Sequence, residues 1–337
     1  MKKSPAIMLA LLMVLFAVNA KSEPASPLEL VRTIPMPGIE GRFDSFGIDV
    51  KGHRLFVTPL DHKTVEVYDL KTGKLIHSIP GIQKPHAVLY RGDLDEIFVT
   101  DGPDGSLKVF KGNKYDLVKA VKPLLEPDGI LYDPATHYLY IITGGGNAKL
   151  DYSLISIVDT DKGEHLGDIR IDGGTMEEMR IEKSSPRLFV VNREKNQIEV
   201  IDRPKRTIVA SWPLTLGKVP VGLAVDESNH RLFVGCRSEI MVVLDSGSGK
   251  EITSVPISKG IDGMVFDPAT KRIYSEANTG AIDVYQETDP DHYQSLGTTP
   301  TGSPAKPGLL VPQLNRYFVA VPKHDNVDAA ILEYKVR

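Results

Sequence analysis

The chain has 337 residues, 41% of them hydrophobic and 25% charged, with 29 Gly, 24 Pro and a formal net charge of −4. This is globular composition, which excludes a disordered, collagen-like or disulfide-stapled chain. The single cysteine, Cys236, cannot close an internal bridge, and no Cys/His spacing for structural zinc is present.

The chain opens with Lys2 and Lys3, then an apolar run from Ile7 to Val18 and a small-residue cleavage signal at Val18-Asn19-Ala20. Residues 1–20 therefore read as a secretory signal peptide and 21–337 as one domain. The run is shorter than the roughly 20 residues of a membrane span, and no later segment is long and apolar enough to be one. The expectation is a periplasmic or secreted protein of the bacterial type, with no transmembrane segment after cleavage. Losing Lys2 and Lys3 takes the formal charge from −4 to −6. An acidic chain without a basic run argues against nonspecific nucleic-acid binding.

Beyond the leader the sequence repeats itself. Each unit has a short apolar strand, a turn, and a second strand centred on an aromatic residue: Phe56, Phe98, Tyr140, Phe189, Phe233, Tyr274 and Phe318. The centres are 42, 42, 49, 44, 41 and 44 residues apart. A third strand with period-two alternation follows, as in Val65-Glu66-Val67-Tyr68 and Ile198-Glu199-Val200-Ile201. Several units continue into a fourth strand ending in proline, such as Ser78-Ile79-Pro80, Ser211-Trp212-Pro213 and Ser254-Val255-Pro256, which suits an outer edge. The seventh unit runs out of chain after its third strand, Ala329 to Tyr334. Leu30-Val31-Arg32-Thr33-Ile34-Pro35 repeats the missing ending at the other terminus. The predicted fold is all-β: a seven-bladed β-propeller of four-stranded antiparallel blades, the last blade closed by the N-terminal strand at about 30–35.

The segments Gly222-Leu223-Ala224-Val225-Asp226, His230-Arg231-Leu232-Phe233-Val234-Gly235, Ile198-Glu199-Val200-Ile201-Asp202 and the turn Asp69-Leu70-Lys71-Thr72-Gly73-Lys74 resemble the YVTN-type seven-bladed propellers and the periplasmic YncE-like proteins. The resemblance runs from about Leu30 to Arg337. It implies a fold and no single activity, because propellers host binding, scaffolding and several chemistries.

In a propeller the innermost strands line a central channel, and the residue just before each one is expected at its mouth. Equivalent positions in the first six units are Asp44, His86, Asp128, Glu177, Val221 and Asp262, with Lys306 or Pro307 in the seventh. The connection after the second strand is expected on the same face and contributes Asp101, Asn192, Arg193, Arg237, Glu276, Lys323 and His324. Four converging carboxylates repel one another unless a cation or water compensates. Either Asp44, Asp128, Glu177 and Asp262 hold a divalent cation, calcium, magnesium, manganese or, with His86, zinc, or the channel is simply wet and Arg193 and Arg237 balance the charge. The third unit's extra residues, Gly144 to Tyr152, lack the Lys-Ser/Thr of a phosphate loop and are expected to be a flexible connection that could carry Lys149 and Tyr152 over the mouth as a lid. His53, His137 and His230 fall in turns on the opposite face, and Cys236 reads as a small buried hydrophobe.

Two functional classes follow. The first is a binding or interaction propeller that takes a small molecule, a peptide or a partner protein at the polar mouth. The alternative is a metal-dependent hydrolase or lyase with His86 as the catalytic acid/base, resembling the gluconolactonase-like propellers.

Overall fold

The alternating segments form 28 strands in seven four-stranded antiparallel sheets, as described by a computed structural model over residues 26–302 and 305–337. The expected signal peptide lies outside the described residues. Blades one to six span 43–79, 85–121, 130–172, 176–213, 220–256 and 261–300. Blade seven combines Gly308–Val311, Arg316–Val321 and Ala329–Val336 with the N-terminal strand Leu28–Met36. That strand pairs antiparallel with Ala329–Val336, from Leu28 opposite Val336 to Met36 opposite Ala329. The ring is therefore closed by hydrogen bonds between the two ends of the chain.

Among the described residues there is no single central core. Apolar side chains fill each gap between neighbouring blades, one cluster to a gap. The aromatic centres sit in these layers: Phe56, Phe189, Phe233, Tyr274 and Phe318 are wholly buried, and Phe98 and Tyr140 nearly so. Both faces of each second and third strand are covered, which is why those strands read as near-continuous apolar runs.

Arginine stitches the lower ends of the blades together. Arg54, Arg187, Arg231 and Arg272 open the second strands of blades one, four, five and six. Each donates to a carbonyl at the end of the next blade's third strand: Gly112, Ser246, Pro290 and Arg337 respectively. The other three gaps use different arginines for the same span. Arg91 reaches Asp161 (2.5 Å), Arg203 reaches back to Asp133, and Arg32 reaches the carbonyls of Leu70 (2.6 Å) and Lys71 (3.0 Å). All seven gaps thus carry an arginine clamp.

The outermost strands share a defect. In every blade the register slips by one residue against the third strand, and the residue squeezed out is Val31, Ile76, Val118, Leu166, Val209, Ile252 or Leu296. Such bulges twist an edge away from regular pairing and protect it from adding another strand.

Deleting Leu28–Met36 is expected to abolish the cooperative thermal transition, or to yield aggregates by size-exclusion chromatography, because Ala329–Val336 would become a bare edge. Arg231→Ala should cost about 1.5–3 kcal/mol, since it removes charge-assisted hydrogen bonds to Pro290 and Asp291. Urea denaturation of the variant checks this.

Candidate functional site

The mouth residues owe their position to a second set of bulges. Asp44, His86, Glu177, Val221 and Asp262 are each the second residue of an inner strand, not the residue before it. At that point the pairing with the second strand slips in all five blades. A bulge re-aims its side chain, here into the channel for Asp44, His86, Glu177 and Asp262. Val221, expected at the mouth, turns instead into the apolar layer between blades five and six, where a valine is better buried than facing water. Asp128 and Lys306 lie two residues ahead of the inner strands Ile130–Asp133 and Gly308–Val311.

Two buried threonines hold the bulges of blades one and two in register and tie in Asp128 of blade three. Thr58 Oγ1 accepts from the Ser45 amide (2.8 Å) and lies 3.2 Å from the His86 carbonyl of the next blade. Thr100 repeats the link: its hydroxyl accepts from the Ala87 amide (2.8 Å) and donates to the Asp128 carbonyl (2.8 Å). Backbone groups freed by a bulge are thereby satisfied, and blades one, two and three are tied together at the mouth. These threonines were not among the sequence candidates. The available signal was that both sit two residues after the aromatic centre, where four of the other five units have Ile142, Val191, Gly235 and Ala320.

Charges alternate around the mouth. Asp262 Oδ2 lies 3.0 Å from Lys306 Nζ, which lies 3.6 Å from Asp44 Oδ1. Asp44 Oδ2 is 2.7 Å from His86 Nδ1, which is 3.4 Å from Asp128 Oδ1. Acid, base, acid, base and acid come from blades six, seven, one, two and three in turn. Blade four adds Glu177, paired with Arg193 at 2.9 Å. The repulsion expected among four carboxylates is thus relieved mainly by Lys306 and His86, with Arg193 serving only Glu177.

The arrangement moves the titrations. Burial alone would lower the His86 pKa, but the Asp44 hydrogen bond and the Asp128 and Asp44 charges outweigh it and raise it above its ordinary value. For Lys306, burial is likewise outweighed by Asp262 and Asp44, and the result is upward. Asp128 leaves 40% of its side chain open to the channel. Enclosure by the channel walls still raises its pKa, assisted by the Asp44 charge and opposed by His86.

Below the mouth the pocket becomes more enclosed. Glu276 is 97% buried in the second strand of blade six, its Oε2 3.3 Å from the Tyr317 hydroxyl. Burial, then the charges of Asp262 and Glu178, push its pKa up to about 8. Glu178 takes the Leu223 amide (2.6 Å) and the Arg180 guanidinium (3.0 Å), and Arg180 also crosses to the Met264 carbonyl (2.8 Å). Glu178, Arg180 and Tyr317 were missed by the sequence map, which followed only one position per inner strand. The cavity these groups line has a volume of about 550 Å³. A side chamber of about 200 Å³ opens by Asp128 and Glu177 under the Gly144–Gly146 backbone.

Other candidates lie elsewhere. Glu276 belongs to the channel wall and not to a loop. Asp101 is buried and receives the Gln83 and Lys84 amides and Lys108, and Asn192 spends its amide on the Asp172 carbonyl and Glu199. Both are structural latches. Arg237 is exposed and acts on Glu177 only through its charge. Lys323 pairs with Glu40 at 2.5 Å, and His324 forms a small bridge with Val327. The expected lid does not form: Tyr152 is in a strand with the Arg170 guanidinium 3.7 Å above its ring. Lys149 closes a 3-10 turn, Gly145–Ala148. Cys236 is fully buried, and burial pushes its thiol up to about 12, which leaves it unreactive.

No family model matches the chain, and no curated protein matches it. Among solved structures, a chain from "Crystal Structure of Mitotic Checkpoint Complex" superposes with a TM-score of 0.76, covering 99% of each chain at 11% identity. At that identity the likeness shows the seven-bladed fold alone.

His86 and Glu276 are both raised, so the folded state holds extra protons through them. The stabilisation from His86 is complete below its ordinary pKa of 6.5 and is lost as pH rises through the higher folded value. Glu276 likewise disfavours the fold as pH rises from 4.5 towards about 8. His86→Gln and Glu276→Gln should each flatten the decline of stability with rising pH, measured by melts across that range.

Proposed function

We propose that this chain is a secreted or periplasmic propeller of YVTN/YncE-like type that binds a small polar molecule, or the polar end of a peptide or partner protein, at the channel mouth. The carrying observation is the Asp262, Lys306, Asp44, His86, Asp128 series lining a cavity of about 550 Å³. Such a mouth offers donors and acceptors of both signs on a rigid frame, so a ligand exchanges ion pairs already made without reshaping the backbone. The charged leader supports export, and the propeller fold is widely reused as a binding scaffold. A thermal-shift screen of small polar compounds tests the proposal. A ligand at about 100 times its Kd stabilises by roughly 2.7 kcal/mol, and that shift should vanish in His86→Ala and in Lys306→Ala. A ligand whose shift survives both substitutions binds elsewhere.

One observation favours a second reading, the metal-dependent hydrolase or lyase. Donor atoms of Asp44, His86 and Asp128 lie within 4.8 Å of one another. One imidazole and two carboxylates suit zinc or manganese, and a bound metal would polarise a substrate carbonyl. The wider ligand set does not gather, because Glu177 and Asp262 are engaged by Arg193 and Lys306. In this reading His86 is a ligand and no longer free to act as acid/base. Metal analysis together with melts in the presence of chelator separates the readings: stoichiometric metal and a lowered Tm support the second, and a metal-free protein with an unchanged melt leaves the first.

A further inference from the structure

We propose that the lower outer rim of blades seven, one and two is a docking surface for an anionic lipid bilayer. Three neighbouring outer strands each expose an apolar pair at the bulge: Leu30 and Val31 (51% and 44% exposed), Leu75 and Ile76 (51% and 47%), and Leu117 and Val118 (53% and 49%). The fold does not require this. In blades three, five and six the residue before the bulge is His165, Glu251 or Ser295, and the bulge residue itself is half-buried. Only blade four repeats the apolar pair, with Ile208 and Val209, and it stands between two polar neighbours.

The three pairs belong to one continuous strip. Arg32 beside the first pair donates to the turn of blade one at Leu70 and Lys71, and His77 beside the second stacks on Tyr115 of blade two at 4.5 Å. Exposed lysines border it: Lys71 and Lys74 in the blade-one turn, Lys114 in the blade-two turn, and Lys335 on blade seven. Of the nearby acids, Glu29 is held by Arg337, Glu333 by Arg32 and Arg316, and Asp69 by the Thr72 amide and hydroxyl within the blade-one turn, while Asp116 remains exposed. The corresponding turn of blade six instead carries Asp289 and Asp291. Aliphatic side chains flanked by lysines match the interface of an anionic bilayer, where apolar groups enter the headgroup region and ammonium groups meet phosphate. The strip is the convex outer rim of a ring, so a fluid surface can conform to it where a rigid protein would need a matching concave face.

The test is co-sedimentation of the chain, as processed by the cells expressing it, with phosphatidylcholine vesicles with and without phosphatidylglycerol. Binding should require the anionic lipid and weaken with salt. The double variant Ile76→Glu with Val118→Glu should bind at least roughly tenfold more weakly, as should Lys71→Glu with Lys74→Glu. Val209→Glu on blade four should bind like wild type, with melts showing all variants folded. The proposal is overturned by no binding of the wild type, by equal binding to neutral vesicles, by rim variants that bind like wild type, or by a Val209→Glu loss matching that of the rim variants. Capture of a soluble protein by this rim without vesicle binding also overturns it.

Discussion

Every inter-blade layer in this molecule is held between two neighbours, and that condition holds for the first and last blades only because Leu28–Met36 completes the sheet begun by Gly308–Val311. The Ile34, Met36 and Phe43 cluster between blades seven and one could not otherwise form. Arg32 makes the dependence stronger, since one residue of the closing strand both meets Glu333 within its sheet and clamps the turn of blade one. The clamp at each gap works on the lower face, while the threonine links work on the upper face between blades one, two and three. A circular frame fixed at both faces can hold charged side chains from separate blades a few ångströms apart without a backbone connection between them.

That rigidity is what permits the mouth to be so highly charged. Unpaired carboxylates in an enclosed space would drive their own protonation. Here each base is shared between two acids, Lys306 by Asp262 and Asp44, and His86 by Asp44 and Asp128. Glu276 has no such cation at contact distance among the described residues, and burial beside Asp262 and Glu178 pushes its pKa up to about 8. Glu276, buried among acids, is thus the channel carboxyl pushed furthest towards its protonated form.

The architecture was legible in the sequence because repetition multiplies a weak signal. Seven aromatic centres at similar spacing, and a proline-ended strand out of place at the start, specify both the blade and its closure. The mouth residues were legible for the same reason, as equivalent positions in equivalent units. Their partnerships were not. Lys306 was placed only to within one residue because its unit is shorter, and nothing local shows that it would sit between Asp44 and Asp262. In the sequence Glu276 reads as a loop residue because a polar residue near the end of a second strand usually belongs to one, whereas this one turns inward beside Tyr317. Asn192 and Asp101 mislead in the opposite sense: polar residues at a strand's upper end read as open to ligand, yet Asn192 is consumed by the Asp172 carbonyl of blade three and by Glu199, and Asp101 by the Gln83 and Lys84 amides and Lys108.

The meeting of the two termini carries a further consequence. Pro27 accepts a hydrogen bond from the Arg337 amide, so the start of the closing strand and Arg337 meet at one spot on the face opposite the mouth. A tether joined after Arg337, whether a fused domain, an affinity handle or a surface linkage, would meet the ring on the face away from its opening. The pocket would then stay accessible from bulk solution when the protein is immobilised through its C-terminus.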